Sequence, residues 1–286
     1  MKTILLHLDD HDSLQAMMTA ALLVAQRFGS HIEGLHVRPS APRMVPMGPE
    51  GAGLATADLM ESLEREGQRV SVRVHERFDA FMREHGIPLG TSMPPSNQPS
   101  ASWFEEVAAG EEALASRGRA FDLIVAGRPV PGPVGPRMSV LEAALFESGR
   151  PILVVPPNAP RGPGEVVLVA WNGSEETART IGLCMPFLLE TNDVLVFSVE
   201  EGMVPGPAGR EVAQNLIRHS IPARAKHVEC GNRGAVGACM LKEAADIGAD
   251  LMLKGAYTQS RLRQMIFGGA TSHILSNAEL PVLMAN

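Results

Sequence analysis

The chain has 286 residues and a net charge of −7, from 25 Lys and Arg against 32 Asp and Glu. With no basic cluster, nucleic acid is excluded as an expected partner. Trp103, Trp171 and Tyr257 are the only aromatics besides phenylalanine, too few for a base-stacking platform. No apolar run reaches the roughly 18 residues of a membrane span. The N-terminus enters a strand-like run directly, without the pattern of a secretory leader. These features predict a cytoplasmic protein with no membrane partner, long enough for two domains of about 140 residues.

In chain order, Ile4 to Leu8 reads as a strand closing on Asp9 and Asp10. Asp12 is placed to cap a helix with the stripe Leu14, Met17, Ala21, Val24 and Phe28, closed by Gly29. His31 to Val37 is a second strand, and Leu59, Leu63, Val70, Val74, Phe78 and either Phe81 or Met82 mark one face of a long helix. A third strand at about Ser102 to Ala108 and a third helix follow. Asp122 to Gly127 is a strand, then comes a fourth helix, and Pro151 to Val155 is the last strand of this half.

The pattern then repeats. Val167 to Trp171, closing on Asn172 and Gly173, echoes Ile4 to Asp10 about 163 residues earlier. Ser174 caps the next helix, with Glu175 and Glu176 in its first turn, where the helix dipole favours acids. Strands are predicted at Val194 to Val199, Arg224 to Glu229, Asp250 to Gly255 and Pro281 to Ala285, with a helix over Arg210 to His219. Continuous apolar runs separated by helices demand parallel sheets covered on both faces, with right-handed crossovers. The run Pro156 to Gly164, rich in Pro and Gly, cannot join a ladder, so domains are expected at 1–157 and 164–286. The cysteines Cys184, Cys230 and Cys239 are odd in number and lack C-x-x-C spacing, and are expected to be small fillers rather than a disulfide framework or zinc site.

Ligands of doubly wound sheets bind outside the carboxyl ends of the strands at the switch point. That rule selects Asp9, Gly127, Asn172 and Gly255. After Gly255 the chain runs through Thr258, Ser260, Arg261 and Arg263 to Gly268, Gly269, Ala270 and Thr271. The glycines let backbone approach an anion, and the following helix offers unpaired amides. The corresponding first-half loop, Arg128 to Ser139, carries four prolines, which have no amide to give. His7, Asp9 and His11 suggest a metal only weakly, and Gly48-x-x-Gly51-x-Gly53 follows no strand and is not a dinucleotide fingerprint.

Gly255-x-x-Thr258, nine residues, then Gly268-Gly269 resembles the phosphate motif of the universal stress proteins, Gly-x-x-Gly, nine residues, Gly and a hydroxyl residue. Ala170-Trp171-Asn172 resembles that family's strand end, where an aspartate meets the nucleoside. Thr258, Gly269 and Asn172 depart from the pattern, with Thr271 placed to supply the missing hydroxyl. The resemblance implies two tandem doubly wound parallel five-stranded sheets, of the adenine nucleotide alpha hydrolase-like type. It implies a cytoplasmic stress or signalling role, with ATP or another adenine nucleotide, accompanied by magnesium, in the second half. The implied site is Ala170, Trp171, Asn172, Lys254, Gly255, Thr258, Gly268, Gly269, Ala270 and Thr271. It also implies an internal pseudo-dimer through the final strands, antiparallel, with a homodimer of whole chains and an unidentified protein partner as further options. A nucleotide-free scaffold and a slow ATPase or autophosphorylating protein remain alternatives.

Overall fold

The apolar runs become ten strands of one sheet. A computed structural model describes residues 1–39, 52–90, 97–108, 112–130, 135–158, 162–256 and 269–286. The first half contains β1 (Thr3–Leu8), α1 (Leu14–Phe28), β2 (His31–Pro39), α2 (Ala52–Glu84), β3 (Ser100–Ala108), α3 (Glu112–Gly118), β4 (Leu123–Gly127), α4 (Met138–Glu147) and β5 (Ile152–Val155). The second contains β6 (Val166–Ala170), α5 (Glu175–Leu183), α6 (Met185–Leu188), β7 (Asp193–Val199), α7 (Gly209–Arg218), β8 (Ala223–Val228), α8 (Val236–Asp246), β9 (Leu251–Gly255), α9 (Gly269–Asn277) and β10 (Val282–Ala285).

The strand order is β3-β2-β1-β4-β5-β10-β9-β6-β7-β8. Each half is parallel throughout, and the halves meet where β5 and β10 pair antiparallel, Ile152 opposite Met284 and Val154 opposite Val282. Two apolar cores follow from the doubly wound arrangement, one on each face of the sheet. One is filled from α1, α2, α6 and α7 by residues such as Met17, Phe78, Phe187 and Leu216. The other is filled from α3, α4, α8 and α9 by Leu114, Leu141, Met240 and Ile274. Buried on both faces, the central strands need no polar alternation.

The repeat extends to polar detail. Asp122, just before β4, accepts the N–H groups of Lys2 and Thr3. Asp250, just before β9, accepts those of Gly164, Glu165 and Val166. In each half a carboxylate thus satisfies the entry of the neighbouring first strand.

Three expectations are corrected. Asp12 does not cap α1: Ser13 is the N-cap, and its side chain makes no capping bond. The turn's own carbonyls serve instead, Asp9 accepting from His11 N–H and His11 from Leu14 N–H. Gly29 does close the helix, in the left-handed region at φ 57°. The apolar stripe of α2 is buried at Val74, Phe78, Phe81 and Met82, whereas Leu63 is 55% exposed. A helix of 33 residues is about 50 Å long and outruns the sheet beneath it. Finally, Cys230 and Cys239 are bonded to each other, their Cα atoms 6.7 Å apart. The chain leaves β8, turns through a 3-10 segment at Arg233–Ala235, and brings the first turn of α8 back against the strand end. Cys184 alone is the buried filler expected, its thiol pKa pushed up by desolvation.

Candidate functional site

A cleft of about 340 Å³ lies at the carboxyl ends of β6 and β9, the switch point of the second half. It is lined by Ala170 and Asn172 after β6, Lys254 on β9, and Gly269, Ala270 and Thr271 at the start of α9. Six of the ten residues singled out in the sequence therefore share one cavity. Thr258 and Gly268 lie outside the described residues.

Asn172 has its carbonyl occupied. Its Oδ1 accepts the Ser174 N–H at 3.2 Å and the Thr177 hydroxyl at 2.8 Å, while Ser174 Oγ accepts the Thr177 N–H at 3.3 Å and caps α5. Only the amide N–H groups of Asn172 remain for a ligand, so it is a donor here.

Lys254 is half-buried, with Nζ 3.0 Å from the Gly255 carbonyl, to which it donates. Burial lowers its pKa from 10.5 to about 8, and the nearby Glu176 carboxylate partly opposes that shift. Glu176 is itself buried, and its Oε2 has no hydrogen-bond partner among the described residues. An anion in the cleft would stabilise the ammonium that burial disfavours.

The first turn of α9 presents N–H groups that have no intrahelical acceptor. Opposite stand residues that the sequence did not single out: Gly202, Arg233, Gly234, Val236 and Met240. Their signal was available, since Asn232 opens a capped turn at the carboxyl end of the third strand of this half, its Oδ1 accepting the Ala235 N–H at 3.0 Å. The polar groups lining the cleft are overwhelmingly donors: amides, an ammonium, a guanidinium, the Asn172 N–H groups and the Thr271 hydroxyl. No carboxylate, imidazole or thiol is among the described residues that line it. Val236, Met240 and Ala170 add an apolar wall.

Two residues of the proposed set play other parts. The Trp171 side chain is 3% exposed and packs into the core on one face of the sheet; its Nε1–H donates to the Pro207 carbonyl at 2.9 Å. Gly255 is buried against α5, and a Cβ there would lie 2.5 Å from the Thr177 nitrogen. Its lack of a side chain serves close packing of helix on strand.

The first-half switch point differs. A Cβ on Gly127 would lie 2.5 Å from Pro136 Cγ and 2.9 Å from Met17 sulfur, so a proline ring covers the end of β4. Asp9 Oδ1 accepts the Asp10 N–H at 2.9 Å. His7 and His11 are buried. Desolvation lowers His7 to a pKa of about 4 against the opposing charge of Asp9. No group of three or more His, Cys, Asp or Glu among the described residues has metal-binding geometry, and no helix among them is long and apolar enough to cross a membrane.

Two five-stranded doubly wound units in one sheet, with a crevice at one switch point, define a tandem α/β protein. No family model matches the chain, and no curated protein matches it in sequence. Among solved structures it is similar to a universal stress protein from Archaeoglobus fulgidus DSM 4304, with a TM-score of 0.65 and 15% identity over 99% of this chain and 96% of that one. It is also similar to a functionally unknown protein from Pseudomonas aeruginosa PAO1, with a TM-score of 0.56 and 15% identity over 99% and 92%. The fold is that of the universal stress proteins, present twice in one chain.

Proposed function

We propose that the chain is a stress or signalling protein of the universal stress protein type that binds one adenine nucleotide, in the second-half cleft. We read 1–157 and 164–286 as its two units and the cytoplasm as its place of action. The observation that supports the reading is the donor-rich lining of the cleft at the switch point. Such a lining matches a ligand rich in acceptors, and phosphate is the chemical group that offers most of them. The cavity is of the size that holds a small ligand, and its apolar wall suits a flat ring.

ATP fits this donor set. Magnesium has no carboxylate in the lining to coordinate it, so a bound ion would be held by phosphate oxygens and water. Among the described residues the lining offers no carboxylate, imidazole or thiol as a general base, and we read the site as one of binding rather than hydrolysis.

Calorimetry of the full chain with ATP and magnesium tests the reading. One site per chain is expected, weakened several-fold by Lys254→Ala. No heat of binding, or a stoichiometry of two, would overturn it. Mass spectrometry of small molecules released from the purified, denatured protein would name the ligand, and a phosphate-release assay at background supports binding without turnover.

A further inference from the structure

The wall of the cleft that carries Arg233 is a covalent ring. Residues 230 to 239 leave the end of β8, pass through Gly231 at φ 80° and Asn232, form the 3-10 turn Arg233–Ala235, and enter α8. Cys230 and Cys239 close that ring. The Cys230 N–H donates to both oxygens of Glu201 at 3.0 Å, which anchors one end. These amide contacts hold the Glu201 carboxyl below its ordinary pKa. Asn232 fixes the turn through the Ala235 N–H. Arg233 and Gly234 line the cleft. The Arg233 guanidinium has no ion pair or hydrogen bond with another described residue. It is a cation facing a donor-lined cavity, flanked by glycines at 231 and 234 that give its backbone freedom.

We propose that Arg233 is a second phosphate-binding cation of this cleft, and that the Cys230–Cys239 bond holds it in position, so that reduction of the bond weakens anion binding. The inference rests on the nucleotide reading above. Lys254, half-buried, and Arg233, exposed, line the same cleft. A phosphate between them meets two positive charges, and the guanidinium can engage two of its oxygens. Opening the ring leaves Arg233 on a Gly-rich segment with more conformations to lose on binding. Both cysteines are half-buried, within reach of a small thiol.

The chemistry is thiol–disulfide exchange with a dithiol reductant. A thiolate of the reductant attacks one sulfur of the bond, forms a mixed disulfide and displaces the other cysteine, which takes up a proton. The second thiol of the reductant then displaces the first cysteine. The protein gains two electrons and two protons, and the reductant leaves as its own disulfide. In reducing compartments such bonds are characteristically transient and sensing rather than structural.

The experiment is calorimetry of the full chain with ATP and magnesium, and with inorganic pyrophosphate. It is run on oxidised protein and on protein reduced with dithiothreitol, with the redox state checked by mass after alkylation. The oxidised chain is expected to bind about five-fold more tightly than the reduced one, the scale of one partly exposed cation. Arg233→Ala in the oxidised chain should lower affinity by a similar factor and remove the redox difference, with Arg233→Lys intermediate. Equal affinity in both redox states, or a redox difference that persists in Arg233→Ala, would overturn the inference. If ATP binds equally in both states and Lys254→Ala still weakens it, only this inference falls. If the oxidised chain binds neither ligand, the nucleotide reading falls with it.

Discussion

Leu283 of β10 lies directly opposite Leu153 of β5, and neither exposes any surface. This pair stands at the middle of the one antiparallel contact in the sheet, with both side chains in the same core. Leu283→Ala is expected to lower the unfolding free energy by about 2–5 kcal/mol. Because the core continues across the joint, the wild-type chain is expected to unfold in urea in a single transition. A cost below about 1 kcal/mol, well under the usual range for a buried leucine, would show that the joint is not part of the core.

Lys254 ties stability to pH in an unusual direction. Its folded pKa of about 8 lies below the ordinary 10.5, so between those values the unfolded chain holds a proton that the folded chain has released. Stability from this group therefore rises as pH increases through that window, and its cost is full below pH 8. Urea midpoints from pH 7 to 10.5 for the wild type and Lys254→Met should converge as pH rises. A difference between the two midpoints that stays constant with pH would place the ammonium in solvent.

Gly255 and Gly269 separate packing from binding. A Cβ at Gly255 would meet the Thr177 nitrogen at 2.5 Å, whereas one at Gly269 meets nothing within 4 Å. Gly255→Ala is expected to cost about 1–3 kcal/mol by overpacking and to disturb the Asn172–Thr177 hydrogen bond. Gly269→Ala should stay within about 0.5 kcal/mol of wild type. Thermal melting of the two variants checks the contrast, and equal melting temperatures would contradict it.

Asp122 and Asp250 hold equivalent positions but are shifted in opposite directions. At Asp122 burial favours the neutral acid, yet the Lys2 and Thr3 amides and the N-terminal charge together outweigh it and lower the pKa. At Asp250 burial prevails over three backbone amides and raises it. Carboxyl titration by NMR should therefore find Asp122 below 3.8 and Asp250 above it. Asp122 stabilises the fold above the unfolded pKa and loses that contribution as pH falls through its lower folded value. Reversed titration order would mean that the two strand entries are not solvated as described.

The strands were legible because burial on both faces leaves an apolar run such as Leu251 to Leu253 no other use. The long helix was legible from its stripe, but not how much of it the sheet could cover, which depends on the length of β2. The crevice followed from topology: Asn172, Lys254 and Gly269 meet because strand ends meet. What failed to show was side-chain direction. Nothing in the sequence says that Thr177 takes the Asn172 carbonyl, that Trp171 turns into the core, or that Gly255 faces a helix rather than a ligand. The Cys230–Cys239 bond was hidden because its closure depends on the turn between β8 and α8 rather than on a recognisable spacing.

The single reversal of direction between β5 and β10 has a geometric consequence for any ligand. Strands on either side of it point oppositely, so the carboxyl ends of β1 and β4 emerge at one rim of the sheet and those of β6 and β9 at the other. β1 and β6 are also five places apart in the strand order, about 24 Å at the usual spacing. A molecule seated in one crevice cannot touch the other, so no ligand can bridge them as a clamp. Whatever one half senses must reach the other through the shared ladder and the packed side chains behind it. A partner that reads both rims must reach around the edge of the protein to do so.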